Sequence, residues 1–302
     1  MKKSFTYEVK KELLAIDRER EEAFLAFCYG LFLFSSAFSL NTMYIKTENR
    51  ALAEAYASGA KRLAGVAVKI AATKGGTYTC EIGTAEDRKK VFSAFSLTGS
   101  EFTLRINRSN IDSESCYADF LAGAFCACGS VANPLKDYHL EFAVAYYQLC
   151  KDLMKLISEI EPDEPLQPRK VVRKYDMVVY FKDSESIEDL LFFMGAQSNA
   201  FTVVNAKVEK DIRNRANRLK NCDSANLDKV TKAGVKQAKA IRRIKNKKGF
   251  EWLPEELREL AALRLENPDM SLSEMAEHLS EPISRSGVNH RLKRLEKMAE
   301  EL

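Results

Sequence analysis

The sequence predicts an α+β protein in two parts, a duplicated α+β domain followed by a smaller all-α domain. The first observation is a repeat, because an apolar helix around Gly30 recurs around Gly123, an offset of 93 (123 − 30), with similar elements after both. The second is a change of composition: residues 206–250 contain fifteen Lys and Arg against four Asp and Glu. The third is the helical spacing of apolar residues in 271–302.

Length and charge limit the possibilities further. A chain of 302 residues can bury about two cores, and its net charge of +4 makes the position of the charge more informative than its sum. We predict a first domain of 1–204, with halves of about 1–105 and 112–204, and a second domain of 205–302.

The elements of the two halves are predicted in the same order. The first half contains an amphipathic helix at 1–14, the apolar helix, a strand near 43–47, a helix near 51–63, strands at 66–72 and 77–82, and a helix at 85–97. The second half contains an apolar helix at 117–131, a strand near 138–144, a helix at 146–160, strands near 169–173 and 177–181, and a helix at 187–194. Small residues would let the two apolar helices pack closely as the centre of a pseudo-twofold domain. The alternative is two unrelated buried helices in one α+β domain.

An uncharged stretch at 23–45 raises the alternative of a membrane span. A dense charge run at 17–22 precedes it, and serines and other polar residues interrupt it, so its unbroken apolar part is shorter than a span. Glu8 and Glu12 come before any apolar run, which disfavours a signal peptide. We predict a buried core helix and no membrane contact.

Seven cysteines are spread along the chain without a CxxC pair, and the three histidines lie far from most of them. This pattern predicts reduced thiols in a cytoplasmic protein. It also contains no set of zinc ligands. We therefore predict no metal site, no cofactor and no small-molecule substrate.

The basic region that follows residue 205 is predicted to form two helices. Val208, Ile212 and Leu219 mark an apolar stripe on the first, and Cys222-Asp223-Ser224 is predicted to be a turn. The second, at 227–244, carries cations at steps of three and four, which place them on one face. These cations are Lys229, Lys232, Lys236, Lys239 and Arg243.

Such a charge stripe is usually a solvated face, but it also suits a phosphate backbone, where neutralised phosphates release counterions. The helix-turn-helix pattern that follows favours the second interpretation. Arg213 and Arg218 of the preceding helix join the candidate DNA contacts.

A further helix is predicted to open at Pro254 and to end before Asn267-Pro268. Leu272, Met275, Ala276 and Leu279 then indicate a short helix with Ser271 as its N-cap and Glu274 three residues later. The segment 280–282 contains Pro282, which stops that helix. A last helix follows, so the spacing predicts a helix-turn-helix.

The last helix separates apolar from basic residues. Val288, Leu292, Leu295, Ala299 and Leu302 alternate at steps of four and three, and no acid occurs between Ser284 and Leu295. A second helix with hydroxyl, amide and guanidinium groups on its first turns suits insertion into a major groove. We predict base reading by Arg285, Ser286, Asn289 and His290 and phosphate contacts by Lys293 and Arg294. The alternative is a helical hairpin that serves as a protein interaction module.

The run LAGAFCACG at 121–129 resembles LAGLIDADG, the signature of homing endonucleases, with five of nine letters matching. The resemblance implies two such helices at a pseudo-twofold interface above a saddle of strands. In those nucleases the eighth position of each motif is a carboxylate that holds the catalytic metal. The matching residues here are Ser35 and Cys128, which are poor ligands for Mg²⁺. The resemblance therefore implies the scaffold and argues against a catalytic site.

Four segments together resemble the WhiA family of bacterial transcription and sporulation regulators: 4–14, the paired LAGLIDADG-like helices, 213–227 and 263–295. The resemblance covers nearly the whole chain. It implies a degenerate homing-endonuclease domain joined to a sigma-factor-like helix-turn-helix, and a DNA-binding role in sporulation or cell division without known nuclease activity. In actinobacterial members it also implies a WhiB-type iron–sulfur protein partner.

The sequence therefore predicts a non-enzymatic, cytoplasmic, nucleoid-associated regulator that binds double-stranded DNA. One rival is a LAGLIDADG nuclease that uses unrecognised acids and cleaves DNA with Mg²⁺. Another is a first domain that serves as a docking scaffold for a protein such as a sigma factor, which is compatible with DNA binding by the second domain.

Overall fold

A computed structural model describes residues 3–99, 103–160, 165–173, 176–281 and 283–302. The chain divides into two units, residues 1–210 and 211–302. The first combines helices with two antiparallel sheets, and the second is helical. The predicted α+β class with a helical C-terminal region is therefore confirmed.

The first unit repeats one arrangement of helices and strands. Its first half contains helices α1 (Phe5–Ala15), α2 (Glu21–Leu33), α3 (Arg50–Ala64) and α4 (Ala85–Ala94) and strands β1 (Ala37–Phe38), β2 (Met43–Thr47), β3 (Lys69–Ala72) and β4 (Tyr78–Glu81). Its second half contains helices α5 (Glu114–Cys128), α6 (Tyr147–Ser158) and α7 (Ser184–Met194) and strands β5 (Gly129–Val131), β6 (Leu140–Val144), β7 (Arg169–Arg173) and β8 (Asp176–Phe181).

The strand order is the same in the two halves, β1-β2-β4-β3 in one sheet and β5-β6-β8-β7 in the other, with every pair antiparallel. The predicted repeat is confirmed by this topology. The short strands β1 and β5 were not predicted, because two or three residues after an apolar helix show no alternation of their own.

Helices α2 and α5 pack through two equivalent glycine contacts. A Cβ on Gly30 would overlap the backbone carbonyl of Phe120, and a Cβ on Gly123 would overlap that of Phe27. Both pairs fit the offset of 93 seen in the sequence (123 − 30 and 120 − 27). Only glycine allows the backbones to approach this closely, so the expectation from the small residues is confirmed at these two positions.

The apolar helices form the centre of the first unit's core. Nine of the thirteen residues of α2 are buried, and Tyr29 of α2 lies 5.4 Å from Phe120 of α5, measured between ring centroids. Among the described residues, no helix is long and apolar enough to cross a membrane. The prediction of a buried core helix at the start of 23–45 is thus confirmed.

The helices of the second unit surround a separate core. They are the part of α8 (Gln197–Lys248) from Asp211 onward, then α9 (Glu255–Glu266), α10 (Leu272–His278) and α11 (Arg285–Glu300). The core includes Ile241, Leu260, Met275 and Leu292, one from each helix. α9 ends before Asn267-Pro268, as predicted.

The predicted turn at Cys222-Asp223-Ser224 is wrong, because α8 is continuous through these residues. None of the three is Gly or Pro, so each destabilises a helix by only about 0.5 kcal/mol relative to alanine. Helix-forming residues flank them on both sides. The predicted apolar stripe is also unburied, since Ile212 and Leu219 are 64% and 66% exposed. α8 instead ends at Lys248, and the next residue, Gly249, has a φ of +75° that suits glycine.

Candidate nucleic-acid interface

The helix-turn-helix is formed by α10 and α11, and local hydrogen bonds fix both N-termini. The Ser271 hydroxyl accepts from the backbone N–H of Glu274, whose carboxylate accepts from the backbone N–H of Ser271, a complete capping box. The Ser284 hydroxyl accepts from the backbone N–H of Gly287 at 3.1 Å. The predicted N-cap at Ser271 is therefore confirmed, whereas Pro282 lies outside the described residues.

Helix α11 has one buried and one exposed face. Val288, Leu292, Leu295 and Ala299 are buried in the core of the second unit. Ser286, His290, Lys293 and Lys297 are exposed. At 100° per residue these four lie within an arc of about 60°. Between Arg285 and Leu295 the exposed residues are therefore neutral or cationic, and the first exposed acid of the helix is Glu300 near its end.

Arg285 and Asn289 lie at one edge of this exposed face. They line a cleft of about 640 Å³ together with Asn226 and Lys229 of α8. The predicted contact residues on α11 and the first cation of the predicted α8 stripe therefore share one surface.

The opposite edge of α11 is bound to α9. Arg294 Nη1 lies 2.5 Å from Glu256 Oε1, and Arg291 donates to the backbone carbonyl of Glu256 at 3.2 Å. The Arg294 side chain is half exposed, so this ion pair is solvated and weak. Arg294 can therefore exchange Glu256 for a phosphate at small cost.

The predicted basic stripe on α8 is exposed along its whole length, from Lys229 to Arg243. One member already has a protein partner, because Lys236 lies 2.8 Å from Glu296 of α11, and this contact raises the pKa of Lys236. Arg213 and Arg218 are also exposed on α8. They lie in 211–229, a segment in which every residue is exposed, and neither of them lines the cleft.

The sequence did not indicate three buried features near this surface. Arg264 of α9 is only 2% exposed, and its Nη1 donates to the carbonyls of Asn267, Pro268 and Met270. Gln237 of α8 is 6% exposed. Gly234 faces the Pro268 carbonyl so closely that a Cβ would overlap it. A glycine inside a helical pattern is a signal of close packing, but Arg and Gln in an amphipathic helix are ordinarily assigned to the solvent side.

In the first unit, the structure brings Ser35 and Cys128 together. Both line a cavity of about 320 Å³, in which Asp176 is the only carboxylate among the described lining residues. The Ser35 hydroxyl donates to the Ala37 carbonyl at 3.1 Å. Burial raises the pKa of the Cys128 thiol to about 12, so it is neutral at physiological pH. In the described chain no three His, Cys, Asp or Glu side chains are grouped to hold a metal ion.

The outward face of the two sheets has charges of both signs. Strand alternation and register place Glu81, Glu141 and Asp176 on this face, and also Lys46, Lys69, Arg169 and Arg173. Glu141 is paired with Arg173 at 3.1 Å and with His139 at 2.8 Å. This mixture contrasts with the first three turns of α11, whose exposed residues are neutral or cationic.

Comparisons with known proteins agree with both units. A family model described as the WhiA LAGLIDADG-like domain matches residues 117–213, and a second, the WhiA C-terminal HTH domain, matches residues 216–299. A protein of Clostridium botulinum strain Hall, named "Probable cell division protein WhiA", is 33% identical over 99% of this chain and 98% of its own length. The chain belongs to the WhiA family.

Other WhiA relatives support the assignment. A Clostridium beijerinckii protein with the same printed name is 42% identical over 66% of this chain, and the match spans 62% of that relative's length. The crystal structure of full-length DUF199/WhiA from Thermotoga maritima has a TM-score of 0.59 at 23% identity and covers 99% of both chains. The N-terminal LAGLIDADG domain of DUF199/WhiA has a TM-score of 0.51 at 16% identity, over 65% of this chain and 93% of that domain. These two structures show that this chain shares their fold.

Proposed function

We propose that this WhiA-family chain is a sequence-specific DNA-binding regulator. The observation that carries the proposal is the exposed face of α11, where Ser286, His290, Lys293 and Lys297 stand in one stripe whose first acid is Glu300 at the end of the helix. Hydroxyl and imidazole groups can bond base edges in a major groove, and lysines can meet the flanking phosphates. The capped helix-turn-helix and its own core hold this face in place.

Arg285 and Asn289 join Ser286 and His290 as base-reading residues in this proposal, since all four lie on the first two turns of α11. Lys293, Arg294 and the α8 stripe meet phosphates. The DNA-binding part is then 205–302, and the LAGLIDADG-like part is 1–204. The mixed charges on the sheets of the first unit support this division, because a phosphate backbone favours a surface of one sign.

The cellular process is proposed from the relatives' printed name. A role in cell division fits a regulator that acts on chromosomal DNA in the cytoplasm, and related roles in sporulation or chromosome segregation would use the same chemistry. The regulator needs no cleavage chemistry, and the residues at the two LAGLIDADG acid positions, Ser35 and Cys128, are not carboxylates.

The test is fluorescence anisotropy of the full chain on labelled upstream fragments of genomic DNA and on scrambled duplexes of equal composition, across a salt series with Mg²⁺. Tighter, salt-dependent binding to particular fragments, with intact DNA on a gel, is the expected result. Equal affinity for every duplex would contradict sequence-specific regulation, and Mg²⁺-dependent cleavage would favour the nuclease alternative.

A variant separates the contributions of the two units. His290→Ala combined with Lys293→Ala should remove most DNA binding from the full chain. Persistent wild-type binding would move recognition to the first unit, whereas loss of binding leaves that unit available for a protein partner such as a sigma factor or a WhiB-type protein.

A further inference from the structure

The cleft between α8, α10 and α11 in the second unit has the chemistry of an anion site. Its lining contains three cationic side chains, those of Lys229, Arg264 and Arg285, and five neutral hydrogen-bonding side chains. No carboxylate is among the described lining residues. An anion entering it would therefore meet hydrogen-bond donors and positive charge on the walls of the cleft.

Two of the side chains that line this cleft are buried, and each has one atom without a hydrogen-bond partner among the described residues. Gln237 is 6% exposed, and its Oε1 has no hydrogen-bond partner among the described residues. Arg264 is 2% exposed, and while its Nη1 bonds three carbonyls, no described residue bonds its Nε. A buried polar group without a partner destabilises the folded state, because it has lost its hydrogen bonds to water. A ligand that completes the missing bonds is one physical reason for a protein to retain such groups.

The unpartnered atoms suit a phosphate. The Arg264 Nε–H is a donor, and rotation of the Gln237 amide by half a turn presents its Nε2 donors in place of the oxygen. Phosphate oxygens only accept, and guanidinium groups bind them strongly. Lys229 and Arg285 are exposed and add charge from α8 and α11.

We propose that this cleft binds a phosphate group. One source is the DNA backbone, in which case the proposal rests on the proposed function: Arg285 borders both the cleft and the base-reading face, so the bound phosphate would flank the bases that Ser286 and His290 meet. The other source is a free phosphorylated small molecule. Both sources offer the same oxyanion, and experiment distinguishes them.

The DNA arm uses two cleft variants and one control in the full chain. Lys229→Gln removes a cation from the cleft, and Gln237→Leu removes the buried amide. Lys248→Gln, an exposed lysine of the same helix outside the cleft, matches the charge change. Lys229→Gln should lower the slope of log affinity against log salt by about one, as expected for one lost phosphate contact. The control should keep the wild-type slope.

Gln237→Leu separates a ligand role from a structural one. If the amide serves a ligand, the variant should bind DNA several-fold more weakly while its urea midpoint, followed by Trp252 fluorescence, stays equal or rises, because an unsatisfied buried polar group is gone. A lower midpoint would show a structural role for Gln237 and would count against the proposal.

The free-phosphate arm measures the same midpoint in inorganic phosphate and in ATP, against chloride at equal ionic strength. If phosphate or ATP raises the urea midpoint of the wild type but not of Lys229→Gln, the ligand is a free phosphate. If neither raises the midpoint and Lys229→Gln lowers the salt slope of DNA binding, the ligand is the DNA backbone. If Lys229→Gln and Gln237→Leu match the wild type both in DNA binding and in stabilisation by phosphate, the cleft is not a phosphate site, even if the wild type binds DNA. If the wild type binds no DNA, the proposed function fails, and the free-phosphate arm alone decides the cleft.

Discussion

Gly30 of α2 lies against the backbone carbonyl oxygen of Phe120 on α5, in a space that a single methyl group would overfill. The equivalent contact joins Gly123 to Phe27. The two halves of the first unit therefore meet backbone to backbone, and side-chain size at two positions limits how closely they can approach.

Gly30→Ala and Gly123→Ala should each destabilise the first unit by about 1–3 kcal/mol, as expected for overpacking a core, despite alanine's higher helix propensity. Thermal unfolding by far-UV circular dichroism measures the change. Gly83→Ala is the control, because a Cβ there meets nothing within 4 Å and Gly83 has no positive φ. Stability equal to the control would show that the helices can separate without loss.

Residues 211–229 of α8 should exchange their amide hydrogens much faster than residues 238–244 of the same helix. Every side chain in the first segment is exposed, whereas Ala238, Ile241 and Ile244 are buried. A helix without tertiary burial is only marginally stable. Hydrogen exchange with mass spectrometry on the free protein is the measurement. Equal protection would mean that another surface covers the exposed segment in solution.

Ser271→Ala should destabilise the second unit by about 1 kcal/mol, since it removes one half of the capping box. Urea unfolding followed by fluorescence is selective, because Trp252 is the only tryptophan of the chain and lies in the second unit. Ser273→Ala is the matched control, an exposed serine of the same helix without a capping bond. An unchanged midpoint for Ser271→Ala would contradict the role of the cap.

Iodoacetamide at pH 8 should label Cys222 long before Cys28, Cys126 and Cys128. Cys222 is exposed, whereas burial raises the pKa of each of the other three thiols to about 12. Only the thiolate reacts, and at pH 8 these three remain protonated. Peptide mass spectrometry over time gives the order, and protein unfolded in urea should label all three. Early labelling of Cys126 in the folded protein would contradict its burial.

Asn289→Ala and His290→Ala should each weaken binding to a preferred duplex by about 1–3 kcal/mol, the size of a lost base contact. Binding to scrambled DNA should change little. Lys297→Gln should instead weaken both by a similar factor, because phosphate contacts are independent of sequence. Anisotropy on the paired duplexes makes the comparison. Equal losses on both for His290→Ala would assign it to the phosphate contacts.

Acid should weaken the ion pair between Glu141 of β6 and Arg173 of β7. Burial acts to raise the pKa of Glu141, but hydrogen bonds from His139 and Arg173 outweigh it, so the folded-state pKa lies below the ordinary value. The stabilisation is therefore complete above the unfolded-state pKa of 4.5 and is lost as pH falls through the lower folded-state value. The stability difference between wild type and Glu141→Gln should shrink over that range, as measured by urea unfolding.

Local signals predicted most of the fold. The serine and glutamate of the capping box at 271–274 fixed the start of α10, and the offset between Gly30 and Gly123 predicted the repeat that the strand orders confirm. The turn at 222–224 was wrong because polar residues favour turns only weakly when helix formers surround them.

The candidate site was less predictable, since its details depend on contacts between distant residues. The pairing of Arg294 with Glu256, the burial of Arg264 and the shared cleft of Lys229 and Arg285 join different helices. Spacing along one helix cannot indicate such partners. The exposed face of α11 was predictable, because the spacing of the apolar residues within that one helix already indicates which side is buried.

The reciprocal contacts of Gly30 and Gly123 make the interface between the halves isologous, as in a twofold homodimer, although one chain supplies both sides. A chain connection between two such surfaces holds them at a high effective concentration, so their pairing does not depend on the amount of protein present. Covalent fusion also frees each half to diverge at the ends of its helix. Ser35 and Cys128 occupy equivalent positions, 93 residues apart, where the two apolar helices end. One is a hydroxyl and the other a thiol, a difference that two identical subunits could not have.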